Sequence, residues 1–236
     1  MGERLGPWWQ QIPAVAQGLA HDMTALGIPK DRITVHRTGL DREVFRPLDR
    51  AACRSRLDLP ADIPVLATVG ALIPRKGQIF AIEALTHLPR AILLLAGAGH
   101  DEAALRAAAE AHGVADRVRF LGPVPHGELP EVLSAADVFV LPTASEGLAN
   151  AWVEALACGT PVVTTPIPGA RELLTDAAWG RMVERDGAAI ADAVQEQLAA
   201  PPAREDVLRG AEGFSWEANA AALVAHWQRL VNRRRG

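Results

Sequence analysis

The stretch VFVLPTASEGLANAWVEALACGTPVVT, from Val138 to Thr164, decides the fold. Its first four residues, Val138 to Leu141, form an apolar run rich in branched side chains, short enough to be a buried parallel strand. Pro142 stops that strand and a polar loop follows. The Ala-rich segment 149–158 then reads as a helix, ended by Gly159 in the C′ position with Pro161 just beyond. Val162 and Val163 begin the next strand, which completes one βαβ unit.

Two carboxylates lie eight positions apart in this unit, Glu146 in the loop and Glu154 inside the helix. The loop falls at the carboxyl end of the strand, the edge of an open α/β sheet where ligands bind. The helix start offers free N–H groups and partial positive charge to a phosphate or a polar sugar group. Glu154 follows Asn150 by four residues, so the two share a helix face. An ionised carboxylate only accepts hydrogen bonds, which suits Glu154 to a ribose diol and Glu146 to sugar hydroxyls. Alternatively, each glutamate does no more than complement the helix dipole, a contribution of about 0.3–1 kcal/mol.

Ser145-Glu146-Gly147, Glu154 and the run Ala155 to Val162 resemble the Glu-x7-Glu signature of retaining, nucleotide-sugar-dependent glycosyltransferases of the GT-B fold, the large family four type. Loop, spacing, helix and the Gly-x-Pro-Val exit match together. The resemblance implies a donor-binding role for this unit, with Glu154 on the ribose, Glu146 on the sugar hydroxyls, and the backbone of Gly147, Leu148, Ala149 and Asn150 facing sugar and phosphates. Family members often carry an aromatic residue and a glycine where Leu148 and Ala149 stand, which implies an altered sugar pocket.

Composition narrows the alternatives. The chain has 236 residues, of which 49% are hydrophobic, ample for a core, and a formal net charge of −4. That balance lacks the basic footprint of a nucleic-acid binder. The run Arg233 to Arg235 reads as a solvated tail, or as an aid to contact with anionic lipid. Two cysteines, Cys53 and Cys158, give neither a disulfide framework nor zinc spacing and favour a reducing compartment. No signal pattern and no run of ~20 apolar residues is visible. The expectation is a cytoplasmic protein, peripheral at the inner face of the membrane if its acceptor is lipid-linked.

Regular βα alternation runs from Pro64 onward. Strands are expected over 65–70, 91–96, 118–122, 138–141, 162–165 and 180–183, and helices over 76–88, 101–112, 127–134, 149–158 and 170–174. This predicts an α/β fold with a doubly wound, parallel, Rossmann-like sheet, the C-terminal half of GT-B in terms of the resemblance. Val15, Leu19, Met23 and Leu26 suit an amphipathic helix over 14–26, and Ser215 suits the N-cap of a closing helix that extends to Leu230. The passage 33–47 resembles the family's interdomain connection, which implies an acceptor-side domain of which only a last helix is present here, the mark of a truncated or split gene product. The division expected is 1–38 remnant and linker, 39–200 donor-binding domain, and 201–236 C-terminal helices with a basic tail. Trp8-Trp9 packs on the 14–26 helix, or is apolar surface that wants a partner.

Gly70-Ala71-Leu72-Ile73-Pro74-Arg75-Lys76-Gly77 joins a strand to a helix at the same sheet edge. Two cations at a helix N-terminus oppose its dipole unless a diphosphate meets them there, and otherwise they are solvated surface charges. By resemblance, Lys76 contacts the donor diphosphate, Arg75 supplies a cation that many relatives place at the position of Ala71, Gly70 and Ala71 line the donor pocket, and backbone near Val124 reads the base. Gly97-Ala98-Gly99 lacks the third glycine of a dinucleotide fingerprint and fits a close-approach loop better. Seven scattered histidines lack ligand spacing, and His100 and His126 read as loop residues.

The function expected is transfer of a sugar from a nucleotide sugar, a UDP-sugar first, to an envelope glycan or lipid-linked acceptor, with retention and without a metal or other cofactor. Glu146, Arg75 and Lys76 are the catalytic candidates. Retention in the family is held to proceed by front-face attack, with the leaving phosphate helping to deprotonate the acceptor. Two rivals stay open. One is a non-catalytic nucleotide-sugar-binding module, or half of a split enzyme whose partner is a separate N-terminal domain chain or another copy. The other is a Rossmann oxidoreductase with NADH at Gly97–Gly99.

Overall fold

A computed structural model of the protein describes residues 12–232. In chain order these form β1 (Ile12–Ala14), α1 (Gln17–Ala25), β2 (Ile33–Val35), α2 (Arg50–Arg56), β3 (Val65–Val69), α3 (Gln78–Ala84), β4 (Ile92–Ala96), α4 (Glu102–Ala111) and β5 (Val118–Gly122). There follow α5 (Leu129–Ala135), β6 (Val138–Leu141), α6 (Asn150–Ala157), β7 (Val162–Thr164), α7 (Pro168–Leu173), β8 (Gly180–Met182), α8 (Gly187–Ala199), α9 (Arg204–Arg209) and α10 (Trp216–Asn232).

The expected doubly wound sheet is present. Six parallel strands lie in the order β5-β4-β3-β6-β7-β8, so the chain winds outward from β3 in one direction and from β6 in the other. Side chains alternate between faces along each strand. Phe139 and Leu141 enter the layer that holds Leu133, Trp152 and Leu156, while Val138 and Val140 enter the opposite layer with Ile82, Ile190 and Val194. Burial on both faces is why these strands read as continuous apolar runs. Phe139 is fully buried, a contribution of about 1.5–3 kcal/mol from its apolar surface.

Local signals set the helix ends. Asp49, Asp186 and Ser215 accept from the backbone N–H groups of Ala52, Ala189 and Ala218 at 2.7, 3.0 and 3.0 Å, capping α2, α8 and α10. At the end of α6, Thr160 N–H bonds Ala155 O and Gly159 N–H bonds Leu156 O, both at 2.9 Å, a Schellman arrangement. Cys53 and Cys158 are free and buried. No helix among the described residues is long and apolar enough to cross a membrane.

Several boundaries differ from the sequence expectation. Residues 12–14 and 33–35 pair as a small parallel ladder, so α1 starts at Gln17 rather than Ala14. The stripe expected to face the core is turned outward: Val15, Leu19 and Leu26 are exposed, while Ala16 and Ala20 are buried instead. Small residues let α1 lie close to α7, with a Cβ added at Gly18 falling only 2.5 Å from Pro168 Cβ. Helices α2 and α8 have no counterpart in the sequence expectation. Trp8, Trp9 and Arg233–Arg235 lie outside the described residues.

One buried ion pair ties α2 to the sheet. Arg54 Nη2 meets Asp137 Oδ2 at 2.7 Å, its Nε donates to Ala135 O at 3.0 Å, and its Nη1 donates to Ala61 O at 2.7 Å. Asp137 Oδ2 also accepts from Val65 N at 2.8 Å, at the start of β3. Arg50 Nη1 also meets Asp137 Oδ1 at 2.9 Å, so loss of Arg54 leaves that carboxylate one cation and removes the buried guanidinium's bonds to the Ala135 and Ala61 carbonyls. Arg54→Ala is therefore expected to cost about 1.5–3 kcal/mol in urea unfolding, and a loss under about 0.5 kcal/mol would contradict this role.

Candidate functional site

The reversal of strand order between β3 and β6 opens a crevice at their carboxyl ends, where an open α/β sheet takes its ligand. The loop that leaves β3 carries Gly70, Ala71, Arg75 and Lys76, and the loop that leaves β6 carries Glu146, Gly147 and Leu148. The expected cations and the expected carboxylate meet there. Arg75 Nη1 donates to Glu146 Oε1 at 2.7 Å, Lys76 Nζ donates to the same oxygen, and Arg75 Nη1 also reaches Ser145 O at 2.6 Å. Lys76 and Glu146 are largely buried, with side chains 15% and 14% exposed, whereas Arg75 is 45% exposed and faces solvent.

The local backbone differs from the expectation that both cations begin a helix. Pro74–Lys76 form a 3-10 turn, and α3 starts only at Gln78 because Gly77 takes φ 75°. The two cations therefore stand before the helix and reach across to the β6 loop. Thr143 Oγ1 donates to Arg75 O at 3.1 Å and Ala144 N–H donates to the same carbonyl at 2.8 Å. Arg185, just beyond β8, completes the stitch. Its Nε donates to Pro142 O at 2.9 Å, and its Nη2 donates to Pro74 O and, at 3.2 Å, to Arg75 O, with the guanidinium 4.8 Å from the Phe80 ring centroid. Sequence reading passed over Arg185; a lone arginine after a short strand signals its role only through its place at the carboxyl edge.

Glu154 stands apart from this cluster. It is buried on α6, 9% exposed, and burial raises its carboxyl pKa against a smaller opposing effect of His126. His126 Nε2 lies 3.4 Å from Glu154 Oε1, and the imidazole packs edge-on against Phe45 with centroids 4.8 Å apart. Asn150 opens α6 in an exposed position, and no side chain caps that helix at Ala149. Leu148 and Ala149 are buried, and Gly147 lies beside α1, where an added Cβ would fall 3.1 Å from Val15 Cγ2. Val124 is partly buried in the loop after β5. Cys158, one turn beyond Glu154, has its thiol pushed up to about 12 by burial and is chemically quiet at neutral pH.

Gly97 and Gly99 have a packing role. At φ 147°, Gly97 lies so close to the β3 loop that a Cβ would meet Gly70 O at 2.0 Å, and one at Gly99 would meet Leu72 O at 2.2 Å. Leu72 N–H bonds Ala98 O at 3.0 Å, and Asp101 N–H bonds Leu72 O at 3.1 Å, so the β4 loop braces the loop that carries the cations. Among the described residues no group of three or more His, Cys, Asp or Glu is placed to hold a metal ion.

Residues 49–213 match the model of the family described as glycosyl transferases group 1. The D-inositol 3-phosphate glycosyltransferases of Mycobacterium bovis and Mycobacterium tuberculosis are 35% identical over 218 residues, which is 87% of this chain and 45% of theirs. The chain thus spans about half the length of the curated relatives it matches. Among solved structures, the sucrose-phosphate synthase of Thermosynechococcus elongatus superposes with a TM-score of 0.84 at 28% identity, covering 94% of this chain and 58% of that one. Anabaena HepE in complex with UDP and glucose superposes with a TM-score of 0.85 at 20% identity over 93% of this chain and 63% of its own, a likeness of fold.

Gly77 is a point where the loops after β3 and β6 leave no room for an added atom. A Cβ there would stand 2.3 Å from Pro142 O and 3.1 Å from the Arg185 guanidinium, on a left-handed backbone. Gly77→Ala is expected to lose at least about 1–2 kcal/mol from the backbone conformation alone, seen as a lower urea midpoint. An unchanged midpoint would contradict this packing of the two loops.

Proposed function

The chain belongs to the glycosyl transferases group 1 family, and from that premise we propose that it binds a nucleotide-sugar donor at the carboxyl edge of its sheet, in service of a retaining hexosyl transfer. The observation that carries this reading is the convergence of Arg75 and Lys76 on Glu146 at the switch point of the sheet. Two adjacent cations held over a crevice by a braced loop match the charge of a diphosphate. Glu146 compensates them until the donor arrives. The diphosphate then takes Arg75 and Lys76, and the freed carboxylate accepts from sugar hydroxyls. Gly70 and Ala71 border the phosphates, and the backbone of Gly147, Leu148, Ala149 and Asn150 faces sugar and phosphate. Glu154 holds the ribose, and backbone near Val124 meets the base.

In the transfer, the bond from the anomeric carbon to the β-phosphate oxygen breaks and the acceptor hydroxyl forms its bond on the same face. The acceptor proton passes to the departing phosphate. Arg75 and Lys76 stabilise the charge that develops on that phosphate, the electrostatic contribution that most lowers such barriers. Because these cations answer the diphosphate charge, the donor is expected to bind without a metal. HepE, bound to UDP-glucose in another crystal, makes a UDP-sugar the first donor to test. An envelope glycan or lipid-linked molecule is the acceptor class proposed, met in the cytoplasm or at the inner membrane face. Residues 39–200 are proposed as the donor-binding unit, with 1–38 on the acceptor side and 201–236 closing the fold.

The exposed side chains Val15 and Leu19, 47% and 37% accessible beside Gly147, favour a second reading. In it the chain is a non-catalytic nucleotide-sugar-binding half, and a separate acceptor-binding body or another copy covers α1, since catalysis needs both substrates positioned together. Donor turnover by the 236-residue chain with a lipid or glycan acceptor would remove this reading. Donor binding without turnover, with activity restored by an added acceptor domain, would establish it.

Loss of one charge-assisted contact corresponds to about 1.5–3 kcal/mol, roughly 10–150-fold in affinity. Lys76→Ala and Glu154→Ala are each expected to weaken UDP-glucose binding by that order in isothermal titration, with unchanged circular dichroism and no effect of EDTA. Unchanged affinity in both variants would overturn the site.

A further inference from the structure

The family match and the sequence signature leave His126 without a role, yet it is the side chain that reaches the Glu154 carboxylate. We propose that His126 is a positioning residue for donor binding: its imidazole holds the Glu154 carboxylate in the charged, aimed state that accepts the ribose hydroxyls. The inference rests on the reading of Glu154 as the ribose ligand.

Three observations support it. Glu154 projects from the middle of α6 into a largely dry environment, with its side chain 11% exposed, and burial favours its neutral form. A neutral carboxyl carries a proton on one oxygen and loses part of its acceptor capacity, so a ribose diol needs the charged form. His126 Nε2 stands 3.4 Å from Oε1, at the outer limit of a hydrogen bond, and favours the charged carboxylate first through that hydrogen bond and second through charge. Finally, the ring is fixed from behind: Phe45, itself 2% exposed, packs edge-on against it at 4.8 Å and 70°, while the histidine side chain stays 66% exposed. One end of His126 is therefore anchored and its polar edge is free to exchange protons with solvent at the mouth of the site.

The other charged groups around the pair are already engaged or distant from it in effect. At the C-cap of α6, Cys158 stays a neutral thiol. Arg204, from α9, donates to Leu48 O at 2.8 Å and Cys158 O at 3.2 Å. Glu131, from α5, is paired with Arg56 at 2.9 Å. Glu128 in the His126 turn and Arg46 beside Phe45 are exposed, where solvent and salt screen them. Among the described contacts, His126 is the partner that opposes the effect of burial on Glu154.

The sign follows from the geometry. As pH falls, Glu154 takes up a proton and donor affinity drops; the contact with His126 opposes that uptake and so delays the loss to lower pH. Without the imidazole the loss begins at higher pH. In the 236-residue chain, His126→Ala is expected to weaken UDP binding about threefold to tenfold at pH 6 and less than twofold at pH 8. Carbon-detected NMR of the Glu154 carboxyl is expected to show its titration midpoint displaced upward in the variant, with or without UDP. A Glu154 midpoint that is the same in both proteins would overturn the inference, as would an equal loss of affinity at pH 6 and pH 8, the mark of a merely structural role. Glu154→Gln separates this from the underlying reading: unchanged UDP affinity in that variant would overturn the ribose assignment itself, whatever His126 does.

Discussion

Three charges, two cations and one carboxylate, pair across facing loops and fix their relative position, and the rest of the carboxyl edge depends on them. Arg75 and Lys76 come from the loop after β3, Glu146 from the loop after β6, and those strands are neighbours from which the chain winds away in opposite directions. That reversal of strand order is the point where an open α/β sheet takes its ligand. The loops then need bracing from other elements. Arg185 from beyond β8, Thr143 within the β6 loop and the tight contact of Gly97 with Gly70 supply it. The arginine and threonine bonds are made to backbone, so the cations are placed by the main chain while their side-chain ends meet Glu146.

The arrangement also divides the carboxylates by environment. Glu146 sits against two cations, whereas Glu154 sits in a desolvated pocket with one exposed imidazole. The same side chain thus has cationic partners in one place and a buried setting in the other, one helix turn and a loop apart. That division suits a ligand with an anionic centre and a neutral, hydroxyl-bearing flank, which is the chemistry of a nucleotide sugar. It also explains why the pair of glutamates alone says little about roles until the partners of each are known.

Much of this was legible in the sequence where several local signals agreed. β6 falls over Val138–Leu141 as read, and α6 over Asn150–Ala157 within one residue of the reading, because an apolar run, an Ala-rich segment and the Gly-x-Pro exit each point the same way. Arg75, Lys76 and Glu146 were placed at one edge by the strand-to-loop pattern, although Gly77 moves the start of α3 two residues beyond Lys76. What the sequence concealed is tertiary. α2 is fixed by Arg54, a cation buried against Asp137 83 positions away, and no periodicity announces it. α1 buries its alanines and exposes Val15 and Leu19, because close approach to α7 outweighs the burial of larger side chains. His126 lies in a polar turn and meets Glu154 across 28 positions, so a lone histidine there reads as an ordinary loop residue.

The most direct measurement of the central claim is a crystal structure of the 236-residue chain with UDP bound. The diphosphate is expected between Arg75, Lys76 and the start of α6, the ribose hydroxyls on Glu154, and the Glu146 carboxylate released from the two cations. A nucleotide whose phosphates lie elsewhere, or a Glu146 that keeps both cations while UDP is bound, would contradict that claim.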